Sequence, residues 1–147
     1  MDDFHRVREH IIEIHQFFVD WVSGECPSDD ATFQKGALNR LSENLMVIMP
    51  AGRGFGLTEF SKYMRAIHGS NSKFRIQIRN INLRQRIGDA LLVTYEEWER
   101  DALDSMPANN GRLSTMVLKD RGDSLETVHV HETWLPAEVM DAGPYDF

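Results

Sequence analysis

Two glutamates, Glu97 and Glu132, each close a row of apolar residues that alternate as in a β-strand. Successive strand residues point to opposite faces, so each glutamate shares a face with its apolar row. A carboxylate on such a face is costly unless it is paired or hydrated, and burial raises its pKa. Such a group can act as a general acid or base near neutral pH, so Glu97 and Glu132 are the candidate catalytic residues. The alternative is that both lie at a wet rim, in salt bridges to arginine.

The same rows supply the residues that would hold a small molecule. Apolar side chains are expected to line a cavity, with an amide and a phenol orienting the substrate. A cationic ligand could lie against an indole ring, because cations are attracted to aromatic faces. The candidate ligand-binding residues are Tyr95, Trp134, Asn80, Val93 and Val130.

The face of each strand depends on how the last two strands pair. If Arg121-Gly122 is a two-residue turn, Ser114 faces His129. That pairing places Leu113, Thr115 and Val117 on the inner face and leaves the outer face to a second copy of the chain. The candidate interface residues are Trp98, Met116, His129 and His131.

The two histidines of that set have the spacing of an HxH metal-binding motif. No third ligand follows at a suitable offset, so we expect no metal and an interface role for His129 and His131. The glycine-rich segment 52–56 lacks the lysine and Ser/Thr of a phosphate-binding loop, and we read it as a turn. We therefore expect no cofactor.

The elements that must position these residues follow from periodicity. Apolar residues at steps of three and four predict a helix over residues 2–23, and shorter helices follow capping residues near 28–30 and at Thr58. From Phe74 the period changes to two, and a parity change between Ile78 and Ile81 predicts a bulge. Gly88-Asp89 predicts a hairpin, and further strands follow to residue 135.

This order predicts an α+β domain with N-terminal helices packed on a strongly curved antiparallel sheet. A bent sheet over a long helix leaves a concave mouth, which is a natural ligand cavity. We expect one domain over residues 1–147, with a core of about 4–135 and a C-terminal tail of 136–147 that carries few core signals.

Composition restricts the class of protein. The 147 residues include 16 basic and 23 acidic side chains, for a net charge of −7, which disfavours binding to nucleic acid. Only one cysteine is present, so no internal disulfide can form. No apolar run is long enough to cross a bilayer and no signal-like N-terminus is visible, so we expect a cytoplasmic protein that does not contact membranes.

Three segments, 47–52, 88–95 and 128–134, together with the order of the elements, resemble the nuclear-transport-factor-2-like (NTF2-like) superfamily. The resemblance implies a cone-shaped, cystatin-like α+β roll that forms a homodimer through the outer face of its sheet. The superfamily includes ketosteroid-isomerase-like and SnoaL-like proteins. It also includes the association domain of calcium/calmodulin-dependent kinases, which ends its sheet in a similar Val-His-x-His strand. There the positions resembling Glu97 and Glu132 carry arginines, so the resemblance implies an acidic cavity here.

The resemblance leaves the activity open, because this fold hosts both enzymes and assembly modules. The tyrosine and aspartate constellation of ketosteroid isomerase cannot be matched onto this chain. We expect a protein with a small-molecule cavity, as in a SnoaL-like or ketosteroid-isomerase-like enzyme that uses a cavity glutamate as acid or base. The alternative is a non-catalytic dimer that binds a small ligand or serves assembly.

Overall fold

The computed structural model describes all of residues 1–147, which form four α-helices and six β-strands. The helices are α1 (Asp3–Ser23), α2 (Asp30–Gly36), α3 (Leu57–Ala66) and α4 (Ala137–Ala142), with a 3₁₀ turn at Leu38–Arg40. The strands are β1 (Leu41–Ile48), β2 (Gly54–Gly56), β3 (Arg75–Ile87), β4 (Ala90–Arg100), β5 (Asn110–Asp120) and β6 (Leu125–Trp134).

Helix α1 forms where the apolar period predicts it. Asp2 caps its start by accepting a hydrogen bond from the His5 backbone N–H at 2.8 Å. Gly24 ends the helix in the left-handed conformation, with φ of +81°. This conformation is unfavourable for residues that have a side chain. The buried stripe between these ends packs on the concave side of the sheet.

The six strands form one sheet in the order β2-β1-β6-β5-β4-β3. Strands β1 and β6 run parallel and every other neighbouring pair runs antiparallel, so the sheet is mixed rather than wholly antiparallel as predicted. The predicted bulge in β3 is confirmed by a register shift between Arg79 and Asn82. The predicted α+β roll is therefore the observed fold, with one parallel pair.

The concave side of the sheet contains two apolar clusters. The first fills one end of the roll between the start of α1 and the middle strands, and includes Val7, Ile11, Leu91, Val93 and Leu118. The second surrounds the other end, where the last turns of α1 meet α2, α3 and β1, and includes Ile14, Trp21, Phe33, Leu41 and Leu45.

The predicted pairing of β5 with β6 is wrong. Ser114 pairs with Glu132 rather than His129, a displacement of three residues. The cause is the connection: Asp120 pairs with Leu125, so the loop has four residues, and β6 has a further register shift near Val128. An odd displacement exchanges the two faces of a strand. The inner face of β5 therefore carries Arg112, Ser114, Met116 and Leu118, the residues buried along that strand.

The C-terminal segment covers part of the outer face of the sheet. Tyr145 packs edge-on against Trp98, with ring centroids 5.7 Å apart. The guanidinium of Arg79 lies 4.7 Å from the Trp98 ring and donates to the Pro144 carbonyl oxygen at 3.1 Å. None of the four helices combines the length and the apolar character that crossing a membrane requires.

Candidate functional site

A pocket of about 750 Å³ opens at the end of the roll that the second apolar cluster surrounds. Its walls come from α1, β1, α3, the middle strands and the loop between β4 and β5. Most of the lining is apolar, and three phenylalanines form aromatic pairs: Phe60 lies 5.7 Å from Phe18 and 6.2 Å from Phe55 between ring centroids. The pocket can therefore accommodate the apolar body of a small molecule.

One wall of the pocket is polar and almost closed to solvent. It combines an arginine, a histidine, a tyrosine and three carboxyl groups on α1, β4, β5 and β6. These residues are His15, Tyr95, Glu97, Glu99, Arg112 and Glu132. We call this set the polar wall.

Arg112 lies at the centre of the polar wall, and only 4% of the residue is exposed. Its guanidinium donates to Glu132 at 3.2 Å, to Glu99 at 3.0 Å and to Asn110 at 3.2 Å. The ring of Trp134 covers it, with the guanidinium carbon 5.2 Å from the ring centroid. These contacts hold both carboxyl groups in place. Removing Arg112 would leave a buried charge uncompensated, which is strongly destabilising.

His15 and Glu97 form a second buried ion pair. His15 Nδ1 lies 2.7 Å from the Ile11 carbonyl oxygen, and Nε2 lies 3.0 Å from Glu97 Oε1. The carbonyl oxygen can only accept, so Nδ1 carries a proton, and Nε2 needs another to donate to an ionised Glu97. Burial opposes the charged imidazole, but the carboxylate of Glu97 outweighs it and raises the pKa of His15.

Glu97 and Glu99 lie on the same face of β4, and each shifts the pKa of the other. Burial disfavours both charges, but a hydrogen bond from Glu99 and the charge of His15 outweigh it and lower the pKa of Glu97. Burial and the adjacent Glu97 raise the pKa of Glu99 well above its ordinary value. Arg112 donates to Oε1 of Glu99 at 3.0 Å and so opposes this rise only in part.

Glu132 differs from both of these carboxyl groups. Burial, and then the charge of Glu97, raise its pKa to about 7 against the opposing effect of Arg112. Arg112 holds its Oε1, while its Oε2 has only a long contact of 3.4 Å with the Ser114 hydroxyl group. Glu132 is thus the carboxyl group of this wall that exists in both protonation states near neutral pH.

The structure separates the predicted ligand-binding residues into two groups. Tyr95 and Val130 line the pocket together with Glu97 and Glu132. Val93 does not, because it lies fully buried in the first apolar cluster. Trp134 lies behind Arg112, and Asn80 is exposed outside the pocket, where it donates to Glu96 at 2.6 Å. The predictions for Val93, Trp134 and Asn80 are therefore wrong.

The predicted interface residues also divide. Met116 lines the pocket, because the true register of β5 turns it inward. Trp98 is 2% exposed and is covered by Tyr145 of its own chain, so it needs no partner to cover it. His129 and His131 lie on the outer face as predicted, with ring centroids 6.4 Å apart. No group of three or more His, Cys, Asp or Glu side chains, with or without these two histidines, is arranged to hold a metal ion.

Three members of the polar wall were not among the predicted site residues, namely His15, Glu99 and Arg112. His15 lies one helical turn after Ile11, on the buried stripe of α1. Glu99 has the same strand parity as Glu97. Arg112 lies directly opposite Glu97 in the ladder between β4 and β5, a pairing that only the correct register shows.

The resemblance implied an acidic cavity, but the polar wall contains cations as well as carboxyl groups. Glu97 and Glu132 lie inside the pocket rather than at its rim, yet both are paired with cations, His15 and Arg112. The structure therefore combines the cavity position of one alternative with the ion pairing of the other, and the functional role of both glutamates stays a prediction.

Comparison with known proteins places the chain in a family. The profile described as "Sucrose-6-phosphate phosphohydrolase C-terminal" matches residues 7–136. The chain belongs to this family. The sucrose-6-phosphate phosphohydrolase C-terminal family shares the NTF2-like fold, so the predicted superfamily is confirmed. A search of curated proteins found no match.

Solved structures agree with this assignment. An NTF2-like protein of unknown function from Pseudomonas aeruginosa has a TM-score of 0.77 and 25% identity, covering 89% of this chain and 99% of that one. The CaMKII hub of S. rosetta has a TM-score of 0.70 and 15% identity, covering 92% and 98%. A proposed dehydratase of the NTF2-like family from Streptomyces avermitilis has a TM-score of 0.70 and 14% identity, covering 92% and 97%.

Proposed function

We propose that this protein is a small-molecule enzyme in which Glu132 exchanges a proton with a ligand bound in the pocket. The observation that carries the proposal is the position of Glu132 in the pocket wall, 6% exposed, with one oxygen held by Arg112 and the other almost free. A base must be fixed in place and must keep a lone pair available for the substrate. Glu132 meets both requirements.

The other carboxyl groups are less suited to this role. Glu97 is held by His15 and is ionised well below neutral pH, so it is a weak base. Burial and the adjacent Glu97 raise the pKa of Glu99 well above its ordinary value, so it is a weak acid. Glu97 would instead act through its charge, which raises the pKa of Glu132 toward neutrality.

The Streptomyces avermitilis neighbour supports an enzyme of this class, because elimination of water depends on proton transfer by positioned acids and bases. Isomerisation of a carbonyl compound needs the same step. Both reactions begin with removal of a proton from a carbon atom beside a carbonyl group.

Hydrogen exchange in D₂O tests this step without knowledge of the substrate. A panel of small cyclic and aryl ketones is incubated with the protein, and loss of the α-proton signals is followed by NMR. We expect exchange with the wild type and a loss of roughly a hundredfold or more in Glu132→Gln, as is typical for removal of a general base. Glu126→Gln is the matched control, because Glu126 lies on the same strand but outside the pocket, paired with Arg121. Equal exchange in wild type and Glu132→Gln would refute the proposal.

A second candidate function is assembly of copies of this chain, which the similarity to the CaMKII hub favours. We propose a homodimer through the part of the outer face that the C-terminal segment leaves uncovered. Leu113 is 42% exposed there, and His131 lies nearby on the adjacent strand. An exposed leucine beside the exposed His131 and the half-buried His129 is a composition that fits an interface.

Sedimentation velocity tests the homodimer. We expect wild-type dimers and a shift to monomers in Leu113→Asp. Ile87→Asp is the control, because Ile87 is also exposed but lies at the end of the β3–β4 hairpin. A wild-type monomer, or an unchanged dimer in Leu113→Asp, would exclude this interface.

We also propose that the protein is cytoplasmic and does not bind nucleic acid. Its single cysteine supports a reducing compartment. The arginines of β3 are already engaged, since Arg86 binds Asp3 and Asp120, and Arg84 donates to Thr94. Arg84 and Arg86 are therefore not free to bind phosphates.

A further inference from the structure

The side chains that line the pocket carry an excess of negative charge. The acidic ones are Glu59, Glu97, Glu99, Asp104 and Glu132. The basic ones are Arg53 and Arg112, together with His15 in its charged form. Glu59, Asp104 and Arg53 are exposed, so water and salt screen their charges. The buried polar wall sets three carboxyl groups against Arg112 and His15, so it suits a ligand with positive charge better than one with negative charge.

The cations of the polar wall are not available to an anionic ligand. Arg112 uses its guanidinium on Glu99, Glu132, Asn110 and Ser105, and Trp134 covers one of its faces. Both ring nitrogens of His15 are likewise occupied. Arg53 is exposed on the loop before β2, away from this wall. A carboxylate or phosphate at the inner end would therefore face carboxyl groups without a free cation to pair with.

The group that does remain free is an acceptor. Glu132 Oε2 has only the long contact with the Ser114 hydroxyl group. A carboxylate oxygen can accept more than one hydrogen bond, so this wall presents spare acceptor capacity toward the pocket. An N–H donor that carries positive charge would make the stronger, charge-assisted bonds.

The apolar walls are compatible with such a head group. Phe18, Phe55 and Phe60 line the same pocket. Aromatic rings attract cations as well as burying apolar surface, so they disfavour an ammonium ion less than aliphatic walls would.

We propose that the pocket selects a ligand with an apolar body and a cationic amine head, whose N–H groups bind the free Oε2 of Glu132. This inference rests on the pocket being the ligand site of the proposed function, but it does not depend on proton transfer. It differs from the prediction that a cation lies against Trp134, because Arg112 already occupies that ring.

Three probes with the same body and different heads test the inference on the whole chain. They are 3-phenylpropylamine, 3-phenylpropan-1-ol and 3-phenylpropanoate, and binding is measured by calorimetry and saturation-transfer NMR at about pH 7.5, where the amine is charged. We expect the amine to bind roughly tenfold or more tightly than the alcohol, and the carboxylate to bind least.

Variants locate the effect at the polar wall. Glu132→Gln should weaken the amine roughly tenfold or more and leave the alcohol nearly unchanged, whereas Glu126→Gln should change neither. If Glu132→Gln does not fold, the order of the three probes on the wild type still decides. The inference is overturned if the carboxylate binds as tightly as the amine, if none of the probes binds, or if Glu132→Gln leaves the amine unaffected.

These outcomes can be separated from those of the proposed function. Amine binding without ketone exchange would contradict the proton-transfer proposal and leave this inference intact. A preference for the carboxylate would refute the inference whether or not exchange occurs.

Discussion

The two ends of the roll are built from the same helix and the same strands, yet they treat charge in opposite ways. At the closed end, Leu91, Val93 and Leu118 fill the interior completely, and the charged groups, such as Arg6 and Asp120, pair outside it. At the open end, continuations of the same strands carry Glu97, Glu99 and Arg112 into the interior. One end therefore resembles an ordinary apolar core, and the other holds ions away from water.

This difference indicates that the open end contributes less to the stability of the fold than the closed end. Buried ions are seldom a better source of stability than well-packed apolar groups of similar volume. Functional sites are where perturbed titratable groups collect. The closed end accordingly explains why the chain folds, and the open end is where an activity would reside.

Replacing Arg112 by methionine should have the largest effect on the open end. Glu99 and Glu132 would lose their cation, and removing one partner from a buried pair typically costs about 3–5 kcal/mol. Without Arg112 the carboxyl groups would favour their protonated forms more strongly. The loss of unfolding free energy in urea should therefore be larger at about pH 8 than at about pH 5.

Arg121→Met is the matched control for this experiment. Arg121 also pairs with a glutamate, Glu126, but the pair lies at the surface of the closed end. We expect no measurable change in stability for this control. A similar loss in the two variants would remove the distinction between the ends.

Two Leu→Ala substitutions compare the packing of the ends directly. Leu91 is fully buried in the closed end, whereas Leu45 is also buried but lines the pocket. Leu91→Ala should cost about 2–5 kcal/mol, because it removes apolar contacts and leaves a new cavity. Leu45→Ala should cost less, because the space that it leaves joins an existing one. Equal losses in chemical denaturation would mean that the pocket is not open in solution.

The smallest effect concerns two histidines on α1, which should titrate in opposite directions. Burial, followed by the nearby Arg40, lowers the pKa of His10 from 6.5 to about 3, and its Nε2 bonds to the Thr127 hydroxyl at 2.8 Å. Glu97 raises the pKa of His15. His10 therefore destabilises the fold as the pH falls below 6.5, whereas His15 stabilises it below 6.5 and loses this effect as the pH rises through its folded pKa.

¹⁵N NMR of the imidazole rings checks this prediction. His10 should remain neutral at about pH 5, and His15 should be mostly doubly protonated at about pH 6.5, the ordinary histidine pKa. A neutral His15 at that pH would mean that Glu97 is not ionised.

Much of the fold could be predicted from the sequence because its signals are local. The stripe of α1 repeats over five turns, Gly88-Asp89 marks a tight hairpin, and the parity change between Ile78 and Ile81 marks a bulge. On β4, alternation alone placed Tyr95 and Glu97 on the pocket side.

The site could be predicted only in part because it depends on pairing between strands. Leu113, Thr115 and Val117 form an apolar row on β5, so the outer face of this strand has the character of an inner one. The assumption of a two-residue turn then gave the wrong register between β5 and β6. That register placed Arg112 on the outer face of the sheet instead of the inner face. No local signal connects His15 on α1 with Glu97, which lies 82 residues later in the chain.

The most direct test of the account is a ¹³C NMR titration of the glutamate carboxyl groups in the wild type, Glu132→Gln and Glu126→Gln. We expect one wild-type carboxyl group to titrate at about pH 7, to disappear in Glu132→Gln and to remain in Glu126→Gln. If every glutamate titrates near the ordinary value of 4.5, Glu132 is not a neutral-pH base and the proposed proton transfer is wrong.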